Sequence, residues 1–398
     1  MESIYPSRRH DIDWLRNLAF ILLIFYHIGM YYVADWGWHI KSQYQSEGLQ
    51  DVMILLNQWR MPLIFMISGM ALSLVEERIR PFALLRLRFV RIFIPLVIGM
   101  YLIVAVQPYY EAVTQLGYSG SFTAFWWEYI NPNTTLYPEH HHGPLGLLTW
   151  NHLWYLAYLW HYTLVYLVLR PFLRAIAKAL SASNAPLYLI ILLPLVPLVT
   201  YILWLYPKFP RTHALVDDWY THAVYFTIFL YGYFLVKMPR VWETIIARRH
   251  YFLAFALLGY ALIIAERHDL FSLDDQSIFD EWLTAFWISF NRWSWLLLVI
   301  GYAGAYLNKP SRWSSYLNEA VLPWYILHQS VIMVIAMQLA PFKFGGIIEP
   351  LLLSVFTFCL CAALYAVIRR VNLLRFCFGM KLSSNRARLE NTLASSTR

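Results

Sequence analysis

Long apolar runs alternate with short polar segments along the chain. Ten such runs can be drawn: 14–34, 52–75, 89–107, 150–169, 186–206, 222–238, 251–266, 283–307, 317–340 and 350–368. Most are near the ~20 residues that an α-helix needs to cross a ~30 Å hydrocarbon core. Because lipid offers the backbone no hydrogen bonds, a single apolar run crosses it only as a helix. The pattern predicts an all-α, polytopic membrane protein with about ten transmembrane helices. The sixth and seventh runs are the shortest. No internal repeat is evident, which weakens an inverted-repeat transporter reading.

The first run carries a polar stripe. Asp13, Arg16, His27 and Tyr31 interrupt a helix that is otherwise Leu, Ile, Phe and Ala. Arg16 and His27 are eleven residues apart, about three helical turns and roughly 16 Å of rise, and fall on nearly one face. A stripe of this kind looks into a cavity or a protein interior. The run has no small-residue cleavage site and is too long for a signal sequence, so a retained span is expected.

Composition agrees with the pattern. Of 398 residues, 60% are hydrophobic, 18% aromatic and only 14% charged, and the mean hydropathy is +0.48. The formal charge of +8 therefore raises a question of sidedness, and no nucleic-acid partner is expected. With the N-terminus inside, 24 of the 31 Lys and Arg fall in cytoplasmic segments, five in outer segments, and Arg60 and Arg292 within spans. The positive-inside rule then places both termini in the cytoplasm. Residues 1–380 read as one ten-helix transmembrane domain, and 381–398 as a basic, Ser-rich, disordered tail. Cys359, Cys361 and Cys377 have no disulfide or zinc spacing and are expected to pack as apolar groups.

Ionisable groups inside spans are costly and are candidates for function. His27 lies about half-way through the ~30 Å core, where a neutral imidazole can exchange a proton near neutral pH. The plain alternative is a histidine bonded to a neighbouring helix. Arg88 and Arg91, one turn apart where the third span begins, form a fork suited to phosphate oxygens; a membrane-surface anchor is the alternative. Arg60 lies inside the second span beside Pro62, with Ser68-Gly69 permitting close helix approach. Arg292 is a similar cation in the eighth. His328, His161 and His152 lie in or at the ninth and fourth spans, where helix–helix hydrogen bonds are the competing role. The contiguous His140, His141 and His142 read as a solvated loop, and no metal site is expected. The segment 108–149 has no Lys or Arg and is rich in Tyr, Trp, Asn and Pro. The segment 267–282 carries Asp269, Asp274, Asp275, Asp280 and Glu281. The aromatic and carboxamide character of the outer segments suits sugar rings, or else an interfacial aromatic belt.

Arg16, ten intervening residues and His27 resemble the first motif of the acyltransferase family 3 membrane proteins, and Arg88-x-x-Arg91 resembles the second. Met61-Pro-Leu-Ile-Phe-Met-Ile-Ser68-Gly69-Met70 is similar to that family's second-helix signature, and Tyr325-Ile-Leu-His328 to its late-helix motif. Phe25-Tyr-His27-Ile-Gly-Met30, followed by Asp35-Trp-Gly-Trp38-His39, is most similar to the branch that succinylates osmoregulated periplasmic glucans. Arg60 departs from the family pattern, where an apolar residue is usual, and leaves room for a charged acyl group.

The resemblance implies an acyl-CoA donor, succinyl-CoA or acetyl-CoA, bound from the cytoplasmic side of a bacterial inner membrane. The acyl group would pass to a glycan hydroxyl outside, and no tightly bound cofactor is implied. Arg88, Arg91 and Arg16 would hold the coenzyme, and Asp13 would orient Arg16. His27 would act as general base or as nucleophile. Arg60 or Arg292 would stabilise the oxyanion or hold a succinyl carboxylate, and His328, His161 or Arg60 would partner His27. A transporter of an acylated or anionic solute is the alternative from another class.

Overall fold

A computed structural model describes residues 9–141, 145–271 and 277–383. His142, Asp274, Asp275 and the tail beyond residue 383 lie outside the described residues. Helices occur at all ten predicted positions. They are α1 (His10–Tyr32), α2 (Gly48–Val75), α3 (Pro81–Gln115), α4 (Trp154–Ala182), α5 (Leu187–Trp204), α6 (Trp219–Leu235), α7 (Arg249–Arg267), α8 (Ile278–Tyr306), α9 (Arg312–Phe342) and α10 (Gly345–Ile368). Among the described residues no β-strand forms.

Eight of these helices are individually long and apolar enough to cross a membrane, fewer than the expected ten. The two that fall short are α4 and α6. The 29 residues of α4 include Arg170, Arg174 and Lys178, which dilute its apolar stretch, and α6 has only 17 residues. Leu189, Leu192, Leu193 and Val196 on α5, and Leu351, Val355 and Phe356 on α10, are exposed. Apolar surface of that extent on helices of this length is a lipid-facing surface. The protein is a multi-pass membrane protein.

The chain forms two compact units. The first comprises residues 1–21, 51–81 and 162–318; the second comprises 22–50, 82–161 and 319–398. In the first, α2 and α6 meet backbone to backbone. A Cβ on Gly69 would lie 1.8 Å from the Phe229 carbonyl oxygen, and one on Gly232 would lie 2.0 Å from that of Met66. Only glycine permits this approach. At the end of α2, the fully buried Glu76 carboxylate accepts from Tyr233 Oη (3.1 Å), Lys237 Nζ (3.2 Å), Arg174 Nε (2.9 Å) and Arg170 Nε (3.3 Å). Burial alone raises the pKa of this carboxyl. The hydrogen bonds and charges of Arg174 and Lys237 outweigh it and hold the group below the usual carboxylate range. α8 starts where Ser277 caps the Asp280 amide, with Asp280 and Glu281 in the first turn.

In the second unit, the aromatic-rich segment after α3 builds its own small core. Phe125 and Tyr129 of a short helix (Phe122–Ile130) pack with Ala112, Leu147 and Leu148, and Tyr129 Oη donates to the Met100 and Thr149 carbonyls. Several rings expected to face sugars are therefore spent on packing. Trp127 remains exposed. The end of the described chain is anchored by Arg375. It donates to Glu319 Oε1 at 2.8 Å and to the Arg369 and Lys381 carbonyls. Cys361 is buried, Cys377 half-buried and Cys359 exposed, all as free thiols.

Candidate active site

Three histidines meet in the second unit. His27 comes from α1, His328 from α9, and His152 from the turn Asn151–Leu153 that leads into α4. His27 and His328 ring centroids are 5.0 Å apart, His152 and His328 5.1 Å, and His27 and His152 6.5 Å. The first contact is a hydrogen bond of 2.9 Å between His27 Nδ1 and His328 Nε2.

Carbonyl groups fix the direction of that bond, because a carbonyl only accepts. His328 Nδ1 lies 2.7 Å from the Tyr325 carbonyl oxygen and 3.2 Å from that of Trp324, so Nδ1 carries the proton. In the neutral ring Nε2 is then the acceptor, and His27 must donate from Nδ1. The network thus assigns His27 the tautomer whose basic lone pair is on Nε2. His328 is fully buried and His27 half-buried, so the dyad has an inner ring and a more accessible outer one.

His152 is held differently. Its Nε2 donates to the Ile326 and Tyr325 carbonyls (3.1 and 3.2 Å), and its Nδ1 accepts from Gln107 Nε2 at 2.9 Å. Gln107 is fixed in turn by Gln329 Nε2 (3.0 Å) and Ser330 Oγ (3.1 Å). Both nitrogens of His152 are committed, so this ring walls the dyad and has no nitrogen left for proton exchange. Among the described residues, no group of three or more His, Cys, Asp or Glu is arranged to hold a metal ion.

Arg88 and Arg91 also belong to the second unit, and both are half-buried. The helix is not regular there. Phe89–Phe93 winds as a π-helix, and Met100–Val104 does so again. A π turn takes more residues than an α turn, so the backbone positions of Arg88 and Arg91 are farther apart around the axis than α spacing predicts. π segments recur at functional sites, and this one holds Arg91. Gly379, in the left-handed region at φ 66°, crosses over it. A Cβ on Gly379 would lie 2.9 Å from the Arg91 carbonyl oxygen.

Arg16 lies in the first unit, near the start of α1. Its Nη2 donates to Asn318 Oδ1 at 2.6 Å and to Asp13 Oδ1 at 3.3 Å, and Asn17 Nδ2 also donates to Asn318. At the other end of α1, Lys41 Nζ donates to the Met30 and Val33 carbonyls. A cation there complements the negative end of the helix. Burial pulls the pKa of Lys41 below the usual lysine range, with Asp35 acting in the other direction. Close by, the buried Glu349 Oε1 accepts from Tyr32 Oη (3.2 Å) and Ser42 Oγ (3.1 Å).

Other candidates are placed elsewhere. His161 is exposed on α4, and the ring partners of His27 among the histidines are His328 and His152. Ser68 Oγ donates to the Ile64 carbonyl of its own helix at 2.9 Å, a structural use of the hydroxyl. Arg60 and Arg292 are buried in the first unit. Sequence reasoning missed Gln107, Gln329, Asn318 and Glu349. A carboxamide within an apolar run was the available signal for Gln329 and, at the end of its run, for Gln107; Glu349 falls just before its run, and Asn318 opens its run among polar neighbours.

A search of the curated proteins and of the solved structures returns no match. The model of the acyltransferase family 3, described as an acyltransferase domain, matches residues 9–366. That span takes in the Arg16 and His27 helix, the π-helical arginine segment and the helix bearing His328. The chain is therefore a member of the acyltransferase family 3, a multi-pass membrane acyltransferase.

Proposed function

We propose that this acyltransferase takes its acyl group, succinyl or acetyl, from an acyl-CoA. The acceptor is a hydroxyl of an extracytoplasmic glycan, in the manner of the branch that modifies periplasmic glucans in the bacterial inner membrane. The single observation that carries the reading is the His27–His328 hydrogen bond, whose direction leaves the basic lone pair on His27 Nε2. In the step it supports, Nε2 takes the acceptor hydroxyl proton as that oxygen attacks the thioester carbonyl. The C–O bond forms and the C–S bond breaks. The coenzyme leaves as a thiolate and takes up a proton. As His27 becomes imidazolium, its Nδ1–H bond to His328 becomes charge-assisted and strengthens.

Arg88 and Arg91 are assigned to the coenzyme phosphates, because guanidinium groups pair with phosphate oxygens in bidentate fashion. Arg16 is on the side predicted to be cytoplasmic, with Asp13 and Asn318 setting its direction. The half-exposed Trp36 and Trp38, beside the C-terminal end of α1, are of the kind that stacks on sugar rings. The test is transfer of a labelled acyl group from acyl-CoA by the purified chain in nanodiscs. Arg88→Ala with Arg91→Ala is expected to raise the donor KM by tenfold or more, about 1.4 kcal/mol per decade, with a smaller change in kcat. An unchanged donor KM reassigns the pair to a membrane-surface role, and absence of any CoA thioester cleavage by the wild-type chain overturns the donor.

His328 acts through His27 and is a positioning residue. His328→Ala is expected to lower kcat by about ten- to a hundredfold, the scale at which a supporting partner acts, leaving the donor KM unchanged. His328→Gln offers a carbonyl oxygen near the position of Nε2 and should recover part of the loss. Equal activities of the Ala and Gln variants would show that the bond to His27 does not orient the base.

A further inference from the structure

One side of α8 carries a surplus of buried hydrogen-bond donors. Within the first unit, Nε and Nη1 of Arg292, the Trp295 indole N–H and the Ser289 hydroxyl are all buried without a hydrogen-bond partner. Arg292 is 7% exposed and Ser289 fully buried. These residues recur three apart, so they line one stripe of the helix. The α2 side faces them in kind. Trp59 stacks on Trp295 with centroids 5.9 Å apart and planes 17° from parallel. Its indole N–H is likewise buried without a partner, and Arg60, the next residue, is buried at 6% exposure.

Arginine and tryptophan side chains donate and never accept. The missing partner must therefore accept several hydrogen bonds, and it must balance charge, since among the described residues no carboxylate forms an ion pair with Arg292. A water molecule meets only the first need. An isolated guanidinium in a membrane-spanning helix is among the costliest groups to bury. The acceptors in the group, the Ser289 hydroxyl and the equally buried Asn291, carry no charge. Asn291 packs against α7, where a Cβ on Gly259 would lie 2.8 Å from Asn291 Oδ1.

We propose that α2 and α8 hold an oxyanion, a carboxylate or phosphate group, on Arg292 with Arg60, Ser289 and the paired indoles of Trp59 and Trp295. The ligand is then either the charged end of a soluble substrate or a lipid headgroup. If it is a carboxylate, it deepens the acyl-transfer reading by selecting a dicarboxylic acyl group. Binding itself does not depend on that reading.

The test is thermal unfolding of the full chain in phosphatidylcholine nanodiscs, titrated separately with succinate and inorganic phosphate at constant ionic strength. Saturable stabilisation is expected with at least one of them. Stabilisation by phosphatidylglycerol nanodiscs without either anion identifies the headgroup source instead. Without oxyanion, Arg292→Leu is expected to unfold at a higher temperature than wild type, because a lone buried charge has been removed. At saturating oxyanion the order reverses. Trp59→Phe and Trp295→Phe keep the stacked rings but lose the N–H donors. They should bind about tenfold more weakly, and they keep the proposal testable if Arg292→Leu does not fold. His27→Ala should bind as wild type does, which separates this site from acyl transfer. No stabilisation of wild type by any of the three sources, or equal responses in wild type and the variants, overturns the proposal.

Discussion

Replacing His27 with alanine is expected to lower acyl transfer by about a thousandfold or more, the scale of general acid–base catalysis, while the protein stays folded in the membrane. The ring is half-buried, so the packing loss is modest. The chemical loss is large, because the tautomer that the His328 bond sets puts the basic lone pair on His27 Nε2. His328 spends Nδ1 on the Tyr325 carbonyl and Nε2 on His27, and His152 spends both nitrogens on protein partners. No neighbour can take over. Donor binding should persist in the variant, since Arg88 and Arg91 stand on another helix. Transfer rates alongside binding of a non-hydrolysable acyl-CoA analogue check both halves. Retained transfer would remove His27 from the mechanism.

Glu76→Ala is expected to be the most destabilising single change in the first unit, by about 3–5 kcal/mol, the scale for breaking a buried ion pair by removing one partner. The carboxylate is fully buried and balances Arg170, Arg174 and Lys237. Deleting it leaves three cations converging on a void and orphans Tyr233 Oη. The sign with pH follows from its pKa, held below the ordinary value of 4.5. The stabilisation is complete above the unfolded-state value and is lost as pH falls through the lower folded-state value. Thermal unfolding of wild type and variant at neutral pH and near pH 4 is the check. The gap between them should narrow in acid, and a gap that is small at neutral pH would show that solvent reaches these charges.

Sequence and structure divide the account unevenly. The ten helices were legible because lipid enforces a simple rule, about 20 apolar residues for each crossing, and any shortfall shows as well: α4 carries three basic residues and α6 is short. Arg16, His27, Arg88 and Arg91 were legible because charge inside or at the end of an apolar run is conspicuous. Glu76 was not. It sits among Glu77, Arg78 and Arg80, and reads as an ordinary solvated turn until the structure buries it.

The sequence by itself therefore determined the class of the protein, the places of its helices and the histidine proposed as the base. Each of these is a property of one local segment in one solvent. Only the tertiary structure decided between His328, His161 and Arg60 as the partner of His27, since that hydrogen bond joins residues 301 positions apart and rests on which carbonyls a buried ring meets. The π winding at Arg88 and Arg91 was likewise hidden, because the apolar pattern of the run does not distinguish it from α winding. The donor surplus around Arg292 was hidden for a related reason: an unmet hydrogen bond is a property of everything around a side chain, and no stretch of sequence contains it.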